Sequence, residues 1–186
     1  MTLLEMKKKV LALIEELNPD HPLLTDDPDI ATKLIEVINQ VMFELARFKK
    51  IPKYISFEVE EGDKLTLAKL EGKSGGEVYQ IASIGGVKYE LRANGTVIKV
   101  LESGIIEIDC FIYPERITET TKDNYEFELS SDVLEIMPYG IAGDLLKSDV
   151  STEYGRIYSD RYESLKSMLD PRYTTASIYF EGGITL

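Results

Sequence analysis

The sequence predicts an α+β protein: a helical bundle formed by N- and C-terminal helices, with an antiparallel β-sandwich or barrel domain inserted between them. Three observations lead there. Residues 1–53 contain no glycine and place their apolar residues at helical spacing. Residues 54–129 hold 8 of the 13 glycines, and their apolar period drops to two. From residue 130 the helical period returns. Neither helical end can bury its stripe alone, so the economical arrangement joins both ends around an insert whose end strands lie close together. The expected division is 1–53 and 130–170 for the helical domain, 54–129 for the inserted β domain, and 171–186 for a C-terminal arm.

Leu3, Leu4, Val10, Leu11, Ile14 and Leu17 form a first stripe. Asn18-Pro19-Asp20-His21-Pro22 halts it, because two prolines so close cannot continue a helix. Ile30, Leu34, Ile35, Ile38, Val41, Met42, Leu45 and Phe48 form the second stripe. Asp26, Asp27 and Asp29 stand where they cap its start, Lys49 and Lys50 where they favour its end, and Pro52 closes the region. Ile55–Glu60 then alternates, Glu61-Gly62-Asp63 turns into Leu65-Thr66-Leu67, and Val78–Ile81 runs on to Ile84-Gly85-Gly86. Asn94-Gly95 between two alternating runs is a strong hairpin signal, since a type I′ turn needs positive φ at both central residues. Ile105–Tyr113 is a longer strand ended by Pro114, and Tyr125–Leu129 alternates again.

Ser130-Ser131-Asp132 is a helix-capping cluster before Val133, Leu134, Ile136, Met137, Ile141, Leu145 and Leu146. Pro138 either kinks this helix or begins its main part. Ser148, Asp149 and Ser151 offer caps for a last helix carrying Tyr154, Ile157, Tyr158, Tyr162, Leu165 and Leu169, which Asp170-Pro171 ends. The remainder holds a strand-like Ala176–Phe180, a Gly182-Gly183 break and no core of its own.

Composition narrows the function. The 186 residues carry 33 acidic against 21 basic side chains, a net charge of −12, which argues against a protein built to grip nucleic-acid phosphates. The surplus is uneven: nine acidic against eight basic over 1–53, fifteen against eight over 54–129, and nine against five over 130–186. The single Cys110 leaves no internal disulfide framework or multi-thiolate metal site, and the single His21 removes most histidine-based chemistry. Charges within Met1–Lys9 interrupt what a signal peptide would keep apolar, and no apolar run reaches the roughly 18 residues of a spanning helix. The chain reads as soluble and cytosolic, or assembled in a cytosol.

No residue set announces catalysis. His21 lies between Asp20 and Pro22 in a turn, and Cys110 sits beside Phe111 with no local cation to activate it. Glu58, Glu60, Glu61 and Asp63 have the residue types of a cation site or a carboxylate dyad, yet Glu58 and Glu60 alternate with Phe57 and Val59 like the wet face of a strand. Asp26-Asp27-Pro28-Asp29 begins like a calcium loop but lacks the following glycine and closing glutamate. Gly72-Lys73-Ser74-Gly75-Gly76 and Ile84–Val87 read as turns and loops, with no helix after them to cradle a phosphate. Catalytic, metal and cofactor-binding residues are therefore expected to be none. Tyr154, Tyr158 and Tyr162 at i, i+4 and i+8 put three phenols on one helix face. With Tyr173, Ile178, Tyr179 and Phe180 they are the candidate partner interface, packing onto the bundle being the equal alternative.

Two stretches carry a resemblance. One is Asp29-Ile-Ala-Thr-Lys-Leu-Ile-Glu-Val-Ile-Asn-Gln-Val-Met-Phe-Glu-Leu, with Asn39 at its centre; the other is the proline-bearing run from Leu129 to Asp149, followed by Tyr154–Leu165. Together they resemble the head–tail connector adaptors of tailed bacteriophages, in the manner of the tail tubular A or gateway-type members. Gly140, Gly143 and Gly155 depart from the resemblance, standing where such helices often carry alanine. The resemblance implies a non-enzymatic virion protein, assembled in the host cytoplasm. It would form a dodecameric ring between portal and tail or stopper proteins, with DNA passing through but not specifically bound, and no membrane partner. It also implies a portal-docking role for Arg172–Leu186. The alternatives from the residues are a generic protein- or carbohydrate-binding module, with Tyr79, Tyr89, Tyr113 and Tyr125 as its aromatics, and more distantly a carboxylate-based hydrolase.

Overall fold

Thr2 has the side chain a helix start needs, and Glu5 follows at the spacing of a capping box. In the computed structural model, which describes residues 1–147 and 153–169, Thr2 accepts from the Glu5 N–H and donates its own N–H to the Glu5 carboxylate, opening helix α1 (Leu3–Leu13). The next orphan donors are also used, Leu3 and Leu4 donating to the carbonyls of Tyr125 and Asp123. The helix stops before the prolines expected to end it. Glu15 takes a left-handed φ of 62°, the Glu16 N–H reaches back to Leu11 and that of Glu15 to Ala12, which is a Schellman ending with a side chain where glycine is usual.

Helix α2 (Pro28–Phe48) begins as its residues dictate: Asp27 caps the N–H groups of Asp29 and Ile30, and Pro28 occupies the first turn. Helix α4 (Ser131–Leu145) is apolar almost all round and buries ten of its residues, so it runs through the centre of the helical layer against α1, α2 and helix α5 (Tyr154–Met168). It continues past Pro138 as one helix. Lys49 at the end of α2 pairs with Asp132 at the start of α4, each charge complementing its own helix dipole. The Lys49 hydrogen bond, with help from Ser130, pulls the Asp132 carboxyl down to about 2.

Between α2 and α4 lie two three-stranded antiparallel sheets. Strands β1 (Ile51–Val59), β6 (Gly104–Ile112) and β3 (Val78–Gly85) make one, in the order β1-β6-β3; β2 (Lys64–Thr66), β5 (Val97–Val100) and β4 (Tyr89–Arg92) make the other, in the order β2-β5-β4. Among the described residues both keep open edges, and they form no closed barrel. Alternation places Ile55 and Val59 of β1, Leu65 of β2, Ile98 and Val100 of β5, and Ile106, Ile108 and Cys110 of β6 in a shared apolar cluster. The expected hairpin forms from β4 and β5, but its turn is four residues, with Ala93, Asn94 and Gly95 all at positive φ. Gly86, at φ 86°, admits no side chain, since a Cβ there would stand 2.1 Å from the Ile105 carbonyl oxygen.

Three sequence expectations are corrected. Leu67 does not extend a strand but opens helix α3 (Leu67–Ser74), capped by Thr66 and closed by Gly75 in the left-handed region; the glycine-rich run 72–76 is its last turn and exit. Tyr125–Leu129 is not a strand, because Glu126 makes only a single bridge to Thr2. The β span expected over 54–129 divides. Strands end at Ile112, while Tyr113, Ile117, Phe127 and Leu129 bury themselves among α1, α2 and α4.

Candidate functional site

The last helix carries the predicted tyrosines, and its placement begins with three glycines. A Cβ at Gly140 would stand 2.9 Å from the Tyr162 ring, one at Gly143 would stand 2.6 Å from Ser159 Oγ and 3.1 Å from its backbone nitrogen, and one at Gly155 would press on the Leu146 carbonyl. The departures from alanine therefore let α5 lie against α4 at backbone distance.

That approach assigns each tyrosine a different environment. Tyr162 is 5% exposed and donates to Glu44 Oε1 at 3.1 Å. Lys166 donates to the same oxygen and to Glu163, both at 2.7 Å, and lies 4.8 Å over the Tyr162 ring, knotting α5 to α2. Burial, reinforced by Glu44, pushes the Tyr162 phenol well above its ordinary range. Burial pulls the Lys166 amine down, but its bonds to Glu163 and Glu44 outweigh this and leave it raised. Tyr158 is half-buried and donates to the carbonyl of Leu13, the last residue of α1. Tyr154 is 59% exposed, and Ile157 beside it is likewise exposed, so these two present the free part of the tyrosine face. Tyr162 faces this chain's own core. Tyr173, Ile178, Tyr179 and Phe180, like the Ser148, Asp149 and Ser151 caps, lie outside the described residues.

The other sequence candidates take structural posts. His21 Nδ1 accepts from the Leu23 N–H within a loop that Asn18 closes onto Asp26. Cys110 is buried, and that burial, with Asp109 beside it, pushes its thiol up, away from nucleophilic use. Asp63 accepts from the Glu60 N–H in the β1–β2 turn, and Glu58 and Glu60 line an open depression beside Ile105. Among the described residues no group of three His, Cys, Asp or Glu side chains is placed to hold a metal ion, and no helix is long and apolar enough to cross a membrane. Of the four tyrosines weighed as a binding platform, Tyr113 is buried, Tyr79 donates to the Ala46 carbonyl and stacks 4.5 Å from Tyr113, and Tyr125 packs against Phe127. Burial with the neighbouring Tyr113 pushes the Tyr79 phenol up to about 12. Tyr89 alone of the four is exposed.

Sequence reasoning placed Asn39 without finding its work. Buried in α2, it accepts from the Ile117 N–H at 2.8 Å and donates to the Ile117 carbonyl at 2.7 Å, so one amide replaces a strand partner for the connection between β6 and α4. An asparagine in an otherwise apolar helix stripe was the available signal. No family model matches the chain, and no curated protein is similar to it.

Proposed function

We propose that the protein is a non-enzymatic structural component of a tailed-phage virion: a head-to-tail connector adaptor that assembles as a ring between portal and tail or stopper proteins. On this reading the two sheets form a sandwich-like domain inserted in a helical bundle, and Arg172–Leu186 is the docking arm. The observation that carries the proposal is the joining of distant helices into one frame. Residues 1–48 and 131–169 share a single apolar cluster, with Asn39 and the Lys49–Asp132 pair tying it together, and strands project from between them. This is the arrangement the resemblance implies, and the exposed Tyr154 and Ile157 suit contact at its outer face.

The acidic surplus suits a solubilising surface first, and also a conduit wall that does not hold DNA. Within 54–129, ten acidic and six basic residues lie in 54–112, and five acidic against two basic lie in the segment that packs on the helices. The acidic surplus is thus shared between the sheets and the β6–α4 connection. A carbohydrate platform has little support, as Tyr54 and Tyr89 are the only exposed aromatics on the described strands.

Native mass spectrometry of the full chain mixed with a portal ring tests the proposal. Several copies bound per portal, lost on deleting 171–186, are expected. A persistent monomer with no portal binding and no effect of the deletion overturns it.

A further inference from the structure

Among the described residues each sheet has two strands paired on one side only, β1 and β3 in the first and β2 and β4 in the second; β3 and β4 face a common space. Between them runs a cleft of about 360 Å³. The strand β3 contributes six consecutive residues to it, 79–84, which is how a backbone edge lines a groove; β4 contributes Tyr89 and Leu91, which alternate and so offer one face. Leu67 and Ile81 complete an apolar wall, and Leu91 is 51% exposed. A slot with unused peptide groups on one side and apolar side chains on the other has the chemistry of a site for an added strand.

The chain itself holds a matching segment outside the described residues. Seventeen residues follow Leu169, and the sequence of Thr174–Phe180 alternates, so that as a strand it would put Ala176, Ile178 and Phe180 on one side and Thr175, Ser177 and Tyr179 on the other. Arg172 and Glu181 are the only charged side chains in 171–186, and the residues lining the cleft carry no charge, so charge does not oppose docking of the segment. Two bulges bend β3, which restricts pairing to a short strand of matching shape.

We infer that the β3–β4 cleft receives Thr174–Phe180 from another copy of this chain, as a strand added to β3 with Ala176, Ile178 and Phe180 against Leu67, Tyr89 and Leu91. The inference rests on the reading of the protein as a multi-copy assembly; with Thr174–Phe180 held by a neighbouring copy, portal docking is left to the residues on either side of it in the arm, and the head-to-tail contact can repeat around a ring.

Disulfide trapping between full-length chains tests it, because the native Cys110 is buried and leaves the field to introduced thiols. One chain carries Ala82→Cys on β3; its partner carries Thr175→Cys, Ser177→Cys or Tyr179→Cys, which covers the possible registers. In a glutathione buffer, at least one mixture is expected to give a heterodimer well above the homodimers of either chain alone. Adding Leu91→Glu to the first chain, or Ile178→Asp to the second, is expected to cut that yield about tenfold. Leu91 is exposed, so its variant should keep the wild-type circular dichroism spectrum as a folding control. The inference is overturned by no heterodimer in all three mixtures, by yields indifferent to both added substitutions, or, in a single chain carrying Ala82→Cys together with one of the tail cysteines, by cross-linking only within that chain. Portal binding plays no part in the readout, so this inference and the connector reading fail separately.

Discussion

Asn39→Ala is expected to destabilise the protein by about 3 kcal/mol. Asn39 is 4% exposed and Ile117 is 2% exposed, so water does not reach the groups the substitution strands. Those groups are the Ile117 N–H and carbonyl, held at 2.8 and 2.7 Å, and each buried orphan costs about 1–3 kcal/mol. The third bond, to the Ile35 carbonyl, adds little because the helix ladder already uses that acceptor. Urea unfolding followed by far-ultraviolet circular dichroism gives the difference, with the denaturant slope expected to stay near wild type. Asn39→Asp separates polarity from pairing. It keeps an acceptor for the Ile117 N–H but turns a second carboxylate oxygen toward the carbonyls of Ile117 and Ile35. Its deficit should be largest at neutral pH and shrink on acidification, as the protonated carboxyl regains a donor. A loss below about 0.5 kcal/mol for the alanine variant, or an unchanged hydrogen-exchange rate at the Ile117 amide, would refute the strut reasoning.

Gly143→Ala should lower the melting temperature by an amount equivalent to about 1–3 kcal/mol, despite the helix-propensity gain, because its Cβ meets Ser159 including the backbone; a neutral or stabilised variant rejects close α4–α5 contact. Wild-type stability should fall as pH rises above about 10, where the unfolded Tyr162 phenol ionises but the folded one does not. Tyr162→Phe should flatten that alkaline limb in pH-dependent denaturation, at a cost of about 1 kcal/mol at neutral pH, and an unchanged limb would show that Tyr162 does not control it. Glu15→Gly should stabilise the fold by about 1 kcal/mol in the same unfolding assay, since it relieves a side chain held at positive φ at the exposed end of α1. A destabilised Glu15→Gly protein would mean that the glutamate side chain works elsewhere.

The local chemistry of the chain was legible where each signal is complete within a few residues. Asp27 before Pro28 opens α2 as its capping geometry requires, and the Asn94-Gly95 neighbourhood turns a hairpin, although the tertiary structure lengthens that turn. Helix α3 also had its signals in place, Thr66 before and Gly75 after. The alternation of Leu65 and Leu67 outweighed them, since three residues cannot distinguish the end of a strand from the first turn of a helix. Tyr125–Leu129 misled for a related reason: alternation reports which side chains are wet, and a connection lying along α1 alternates as a strand does without a ladder partner.

The candidate interface was legible only as a spacing. Tyr154, Tyr158 and Tyr162 follow one another along a helix, and nothing in that period tells a core contact from a free face. The closeness with which α5 packs on α4 decides it, and Gly140, Gly143 and Gly155 allow that closeness by their missing side chains.

By itself the sequence determined the broad run of helices, then strands, then helices, several starts written in capping residues, and the sign of the charge, because each depends on neighbours along the chain. Only the tertiary structure decided that Asn39 holds Ile117, that residues 113–129 bury their apolar side chains among the helices and carry part of the acidic surplus with them, and that Tyr162 lies inside while Tyr154 stands free. These outcomes depend on which surfaces, far apart in sequence, reach atomic contact, and contact is a property of packed volume that no local period records.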